Sequence, residues 1–239
     1  MKKQYLLIVA LLLAGTFVQA QSAFFTHAQA FLSANISNGG VDYAGIKASP
    51  KALNALVSEI GSYSLSGKDT KTKKAFYLNA YNILVIKNVV DHYPIAKPTD
   101  VSGFFDGKKF KVAGASLTLS DIENKKVRPT FKDARVHFAL VCAARSCPPI
   151  PSYAFTPSNV ESRLESLTKK AMNSRSFVKV DDANKKVRFS KIMEWYKEDF
   201  VADSKTVLAY VNKYRTNKIP SSYAQSHYAY NWSLNAKKK

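Results

Sequence analysis

The chain has 239 residues, nearly half of them hydrophobic, two cysteines, and 36 basic against 17 acidic side chains, a formal net charge of +19. That length suits one domain with a sizeable core or at most two small ones, and the hydrophobic content excludes an intrinsically disordered chain. Of the basic residues 29 are lysine, spread through every segment rather than gathered in an arginine-rich patch. A solvated basic surface that can attract an anionic partner is therefore expected, and a nucleic-acid partner is not.

The chain begins with Met1-Lys2-Lys3, an apolar stretch from Tyr5 to Phe17, and small residues at Val18-Gln19-Ala20. This order reads as a secretory signal peptide over residues 1–20, leaving a mature domain over 21–239. No later window is long and apolar enough for a membrane span. The product is expected to be exported, periplasmic or secreted, and a monomer.

Phe24, Phe25, Ala28, Phe31 and Leu32 fall at helical spacing, and Asn35 to Gly40 ends that helix. After a short extended piece at Val41-Asp42-Tyr43, Ser49-Pro50 opens a second helix, with Gly61 just beyond its end. Residues 71–92 form the longest helical candidate, apolar nearly all round from Ala75 to Ile86, so it is expected to be buried in the middle of the domain. Asn79 and Asn82 share one face of it; buried amides there either tie down neighbouring loops or line a site.

Lys109–Val112 and Leu117–Leu119 read as a hairpin, followed by Ser120-Asp-Ile-Glu123, whose spacing is that of a capping box. Residues 134–142 read as a buried strand with His137 on one face and Cys142 on the other. A helix from Thr156-Pro157, a second hairpin around Asp181–Lys185, a short aromatic-containing helix over 190–200 and a helix capped by Asp203 complete the order. The closing Tyr228-Ala-Tyr230-Asn231-Trp232-Ser-Leu234 alternates with period two, as a strand buried on one face does. Together these elements predict an α+β domain, an antiparallel sheet packed on a buried central helix.

Reactive side chains concentrate in residues 134–149, which hold both cysteines and one of four histidines. A thiol needs a base or cation beside it to be thiolate at neutral pH. Cys147 is thus the candidate nucleophile with His137 as its base, and Cys142 is the second choice. Glu123 is a candidate third group to orient the imidazole, Asn79 and Asn82 are candidate donors to an oxyanion, and Arg145 is a candidate substrate contact. No cofactor is expected, and three sulfur and nitrogen donors without ligand-pair spacing do not predict a metal site. Against the catalytic reading, a histidine in an apolar stretch is often a hydrogen-bonded core residue, and Cys142 and Cys147 are close enough to form a disulfide in an exported protein.

The runs Val41-Asp-Tyr43, Ala75-Phe-Tyr-Leu-Asn-Ala-Tyr-Asn82, Gly103-Phe-Phe105, Leu119-Ser-Asp-Ile-Glu123, Val136-His-Phe-Ala-Leu140, Cys142, Ser146-Cys-Pro-Pro149, Trp195-Tyr196, Asp199-Phe200 and Tyr230 to Asn235, in this order, resemble the family called domain of unknown function 547. The resemblance extends over nearly the whole mature chain and implies a single domain, with no established activity. More remotely the layout is similar to papain and transglutaminase-like cysteine enzymes, which implies a thiol hydrolase or acyltransferase acting on a peptide or another cell-envelope amide. Those enzymes carry a cysteine at the start of the central helix; this chain has none there. It also has Val141-Cys142-Ala143 where Asn-Cys-Gly is common in family 547, and Asn231 where aspartate is common.

Overall fold

The computed structural model describes residues 23–237; the expected signal peptide lies outside the described residues. Helix α1, residues 23–35, buries Phe24, Ala28, Phe31 and Leu32, four of the five residues its spacing selects, with Phe25 half-buried. Strands β1 (Ile36–Ser37) and β2 (Gly40–Val41) pair across Asn38-Gly39, both left-handed at φ 50° and 74°, as an Asn-Gly hairpin turn requires. A β-carbon on Gly39 would lie 2.7 Å from Pro149 Cβ, so this turn also needs glycine for contact with the loop after Cys147.

Helix α2 (Tyr43–Ala48) starts at Asp42, whose carboxylate accepts the Gly45 N–H at 2.9 Å. Helix α3 (Lys51–Ser62) runs past Gly61, which was expected to lie beyond its end. The carbonyls of Ile60 and Gly61 accept the N–H groups of Ala113 and Gly114 at 2.8 and 2.9 Å, so an outside turn satisfies that helix terminus. Helix α4 (Thr70–His92) is the central element: between Ala75 and Ile86 every residue except Tyr77 is buried.

Strands β3 (Lys109–Val112) and β4 (Ala115–Thr118) form the first predicted hairpin. A continuous helical run follows: α5 (Leu119–Asp121), a π-helical segment (Ile122–Val127) and α6 (Arg128–Phe131). A 3-10 helix (Ala134–Phe138), α7 (Val160–Asn173), β5 (Val178–Asp181), β6 (Lys186–Phe189), α8 (Ile192–Trp195), α9 (Lys197–Ser204), α10 (Val207–Tyr214) and β7 (Ala224–His227) complete the fold. Helix α10 is capped by Thr206, which accepts the Ala209 N–H at 3.0 Å. Asp203, the expected cap, instead lies within α9 and pairs with Lys213 at 2.9 Å.

The class is α+β, as expected, but among the described residues the strands form two two-stranded hairpins and one three-stranded sheet ordered β5-β6-β7, in which β6 and β7 run parallel. The helices do most of the burying. One core gathers round α4, and a second gathers Met172, Phe177, Phe189, Met193, Phe200 and Tyr210. The 3-10 helix is the seam between them: Val136 belongs to the first and Phe138 to the second. His137 therefore sits where the two cores meet.

Two local readings are overturned around that seam. Residues 134–138 are helical, not extended. Asp133 caps the turn by accepting the Arg135 N–H at 3.1 Å, and Val136 N–H reaches the Asp133 carbonyl at 3.1 Å; local capping outweighs the apolar, strand-like composition. The closing segment is not part of a sheet, since β7 ends at His227. Its period-two burial survives: Tyr228, Tyr230, Trp232 and Leu234 are less exposed than the residues between them. Its partner is the cysteine loop, through Arg145 N–H to Ser233 O at 2.8 Å, Ser146 N–H to Asn231 O at 3.1 Å and Asn235 N–H to Ala143 O at 2.9 Å. Asn235 in turn accepts the Tyr43 hydroxyl at 2.7 Å, which joins the first and last of the family-like motifs.

Candidate functional site

Helix α4 positions the loops rather than the chemistry. Asn79 donates to Phe155 O at 2.7 Å and accepts from Phe155 N at 3.0 Å. Asn82 donates to Ala139 O at 2.8 Å and accepts from Val141 N at 3.0 Å. Each amide has both ends engaged by loop backbone and neither lines the cavity that holds His137, so the structure gives them the anchoring role rather than that of oxyanion donors. Asn82 thereby fixes the chain on either side of Leu140, immediately before Cys142.

The Ser120–Glu123 capping box is displaced by two residues. Thr118 accepts the Asp121 N–H and Asp121 accepts the Thr118 N–H, each at 3.0 Å. Both sequences have the right spacing; the box forms where β4 ends, at Thr118. Glu123 is released from capping and carried into the interior by the π-helical segment, in which Glu123 O accepts the Arg128 N–H.

Glu123 does not orient His137. It is buried beside Tyr81 on α4 and Tyr196 between α8 and α9, whose phenols feel its charge. Burial first, and then the nearby Glu123 charge, push both phenols up, so they remain protonated donors at neutral pH. Tyr196 stacks on the His137 imidazole with ring centroids 3.9 Å apart, so Glu123 reaches the histidine only through that ring.

The group that orients His137 is Asp199 on α9, 62 residues further along the chain, with Nε2 to Oδ2 at 2.7 Å. Arg128 grips the same carboxylate from its Nε at 2.7 Å and Nη2 at 3.1 Å. The His137 hydrogen bond, ahead of the Arg128 contacts and against partial burial, holds the Asp199 carboxyl well below the usual carboxylate range. Sequence reasoning missed this pair, although Asp199-Phe200 stands among the family-like runs.

His137, Glu123, Cys142 and Cys147 line one cavity of about 290 Å³, walled by Tyr81, Phe105, Trp195, Tyr196, Tyr230 and Trp232. The two cysteines form a disulfide with Cα atoms 6.2 Å apart, within the usual range. The Cys147 sulfur accepts the Cys142 backbone N–H at 2.9 Å and the Tyr230 hydroxyl at 3.2 Å. That hydroxyl also lies 3.1 Å from the Cys142 sulfur. Burial pushes the Tyr230 phenol up, which keeps its proton available. Tyr230, Trp195 and Trp232 form an aromatic cluster with centroids 4.8 to 5.8 Å apart, and Trp195 is 47% exposed. Arg145 is exposed and does not line this cavity; it lines a neighbouring depression with Gly39, Pro149 and Asn235 that Cys147 also borders.

An α+β fold with a histidine-aspartate pair and a cysteine pair on one aromatic cavity defines the class of site. Residues 65–170 match the family model described as "Protein of unknown function, DUF547", which supports the resemblance read in the sequence; the match covers less than half of the chain. It includes Tyr81, Glu123, His137 and both cysteines, while Trp195, Tyr196, Asp199, Tyr230 and Trp232 lie beyond it. Comparison with the curated proteins and with the solved structures gives no match.

Proposed function

We propose that this cavity is the active site of an exported thiol hydrolase or acyltransferase, with the Cys142–Cys147 disulfide as its resting form. The observation that carries the reading is the hydrogen bond of His137 to Asp199 at 2.7 Å on a cavity that Cys147 also lines. In the reduced protein Cys147 is the nucleophile and His137 its base. The Cys147 thiolate attacks the amide carbonyl carbon, and the protonated imidazole passes its proton to the leaving amine. Water, or an acceptor amine, then attacks the thioester, gives its proton to His137 and releases Cys147. Asp199 keeps the imidazole in one tautomer, as a third group does in related dyads. Glu123 is a positioning residue acting through Tyr196. The substrate is a peptide or another cell-envelope amide whose flanking group packs on the aromatic wall.

A second reading is a non-catalytic module with a permanent disulfide and a basic surface for an anionic partner. It is favoured by the pairing of both cysteines and by an open depression where Arg175, Lys179, Lys186 and Arg188 outnumber Asp181 and Asp182.

The test uses p-nitrophenyl acetate as an acylating probe on reduced mature protein, whose N-terminus should begin near Gln21. An acetyl adduct should form on Cys147 by peptide mass mapping, with a rate about a hundredfold lower in His137→Ala. Absence of the adduct both in reduced wild type and in Cys142→Ser, which carries Cys147 as a thiol, would hand the site to the binding reading.

A further inference from the structure

The two residues of the disulfide are unequally exposed. Cys142 is only partly buried, whereas Cys147 is 7% exposed. The hydrogen bonds are unequal in the same sense: the Tyr230 hydroxyl lies near both sulfurs, but only the Cys147 sulfur also accepts a backbone N–H, that of Cys142. Exchange of a disulfide is fastest when the attacked sulfur is accessible and the departing sulfur is stabilised as a thiolate. Hydrogen bonds to the charged form supply that stabilisation.

We infer that the chain undergoes thiol-disulfide exchange with an external dithiol reductant, which enters at Cys142 and releases Cys147 as the stabilised thiolate. This rests on the proposed thiol site and adds the reaction that must precede acyl transfer there. A thiolate of the donor attacks the Cys142 sulfur; a bond forms between those two sulfurs, the Cys142–Cys147 bond breaks, and its electron pair leaves on Cys147. The second thiolate of the donor attacks the donor sulfur of the mixed disulfide. Cys142 departs as a thiolate and takes up a proton from water, and the donor leaves as its own disulfide. Two electrons pass from the donor to the chain. Tyr230 is a positioning residue: its hydroxyl, 3.1 Å from one sulfur and 3.2 Å from the other, is shared in the disulfide and turns wholly to Cys147 as that sulfur gains charge.

The experiment treats native mature protein with dithiothreitol at pH 7 without denaturant and counts thiols by mass after alkylation. Two thiols should appear. With the monothiol 2-mercaptoethanol and a rapid quench, the mixed disulfide should map to Cys142 and the alkylated thiol to Cys147. Tyr230→Phe keeps the ring in its aromatic cluster and should slow reduction about tenfold, the loss expected for one hydrogen bond to a charged group. It should also move the pH profile of Cys147 alkylation to higher pH, a readout that a purely structural hydroxyl would leave in place. A disulfide that dithiothreitol opens only in denaturant, an adduct on Cys147, or an unchanged rate in Tyr230→Phe each overturns the inference. Cys142→Ser separates the two proposals, because it exposes the Cys147 thiol with no reductant: acylation there with a wild-type disulfide that resists reduction sinks only the exchange step. Ready reduction with no acylation of Cys142→Ser sinks only the acyl-transfer reading.

Discussion

Asp133 and Asp199 each take two basic partners, and only Asp199 holds a histidine that lines the cavity. Asp133 lies between Lys74 at 3.0 Å and Arg135 at 2.8 Å, and Glu161 takes Lys74 at 2.7 Å and also pairs with Arg135. Asp199 lies between Arg128 and His137, both at 2.7 Å. Burial raises the Asp133 pKa, but hydrogen bonds from Arg135 and Lys74 outweigh it and bring it down to about 2; Asp199 is lowered as well. A lowered carboxyl thus marks neither cluster as functional. The difference lies in the partners: the first cluster balances two permanent cations with acids and ties α4 to α7. The second holds a histidine that lines a cavity.

The contrast should break most visibly on substitution. Asp133→Ala removes the acid between Lys74, whose side chain is 8% exposed, and Arg135, and should cost about 3 kcal/mol in urea unfolding, as breaking a buried pair does. Asp199→Asn keeps shape and one acceptor, and should cost about 1 kcal/mol. Acylation of reduced protein should order the two variants the other way, with Asp199→Asn lowered about a hundredfold and Asp133→Ala acylating wherever it is folded. Equal stability losses, or equal acylation, would erase the distinction.

Acid titration tests the same pair with a smaller effect. For Asp133 the folded pKa of about 2 lies below the ordinary 3.8, so the unfolded chain binds the proton more readily. Its contribution is fully present above about pH 4 and is lost as pH falls toward 2; the shift corresponds to roughly 2 kcal/mol. Asp199 adds a loss in the same direction. Unfolding free energies at pH 5, 4 and 3 should fall, and Asp133→Asn should flatten the curve. A curve that is already flat in wild type would show that these carboxylates are not held as described.

What the sequence could reveal divides along contact range. The buried helix over 71–92 announces itself by apolar residues on every side, and the structure adds only one residue at its start. The anchoring of loops by Asn79 and Asn82 follows from two amides that a buried helix must satisfy, and the cysteine spacing already allowed the disulfide. The histidine's partner was not legible, because Asp199 is brought to it by packing across the second core and no local spacing encodes that approach. Glu123 was misassigned for a related reason. Two overlapping boxes, Thr118–Asp121 and Ser120–Glu123, compete for one helix start, and the end of β4 decides between them. The aromatic wall was half legible: the alternation of Tyr228 to Leu234 gave the inward face, while the segment's partner, the cysteine loop, depended on the fold.

The smallest effect concerns a residue where this chain departs from the family-like pattern. Ala143 has φ 61°, the left-handed region in which a β-carbon costs about 1–2 kcal/mol and glycine costs nothing sterically. It is buried, its carbonyl accepts the Asn235 N–H at 2.9 Å, and it directly follows Cys142, so the loop holds it in that conformation against its preference. The other departure, Asn231, bears no such load: it is exposed and its side chain accepts the Ser233 N–H at 2.9 Å, a role open to aspartate equally, while Asp199 serves His137. Ala143→Gly should therefore stabilise the oxidised protein by about 0.5–1 kcal/mol, the steric relief less the greater freedom glycine has in the unfolded chain. Urea unfolding of oxidised and reduced protein sharpens the test. If Ala143 keeps its left-handed backbone when the disulfide opens, the gain is the same in both. If the gain vanishes on reduction, the disulfide itself imposes that conformation, and the cysteine loop relaxes when Cys147 becomes a thiol.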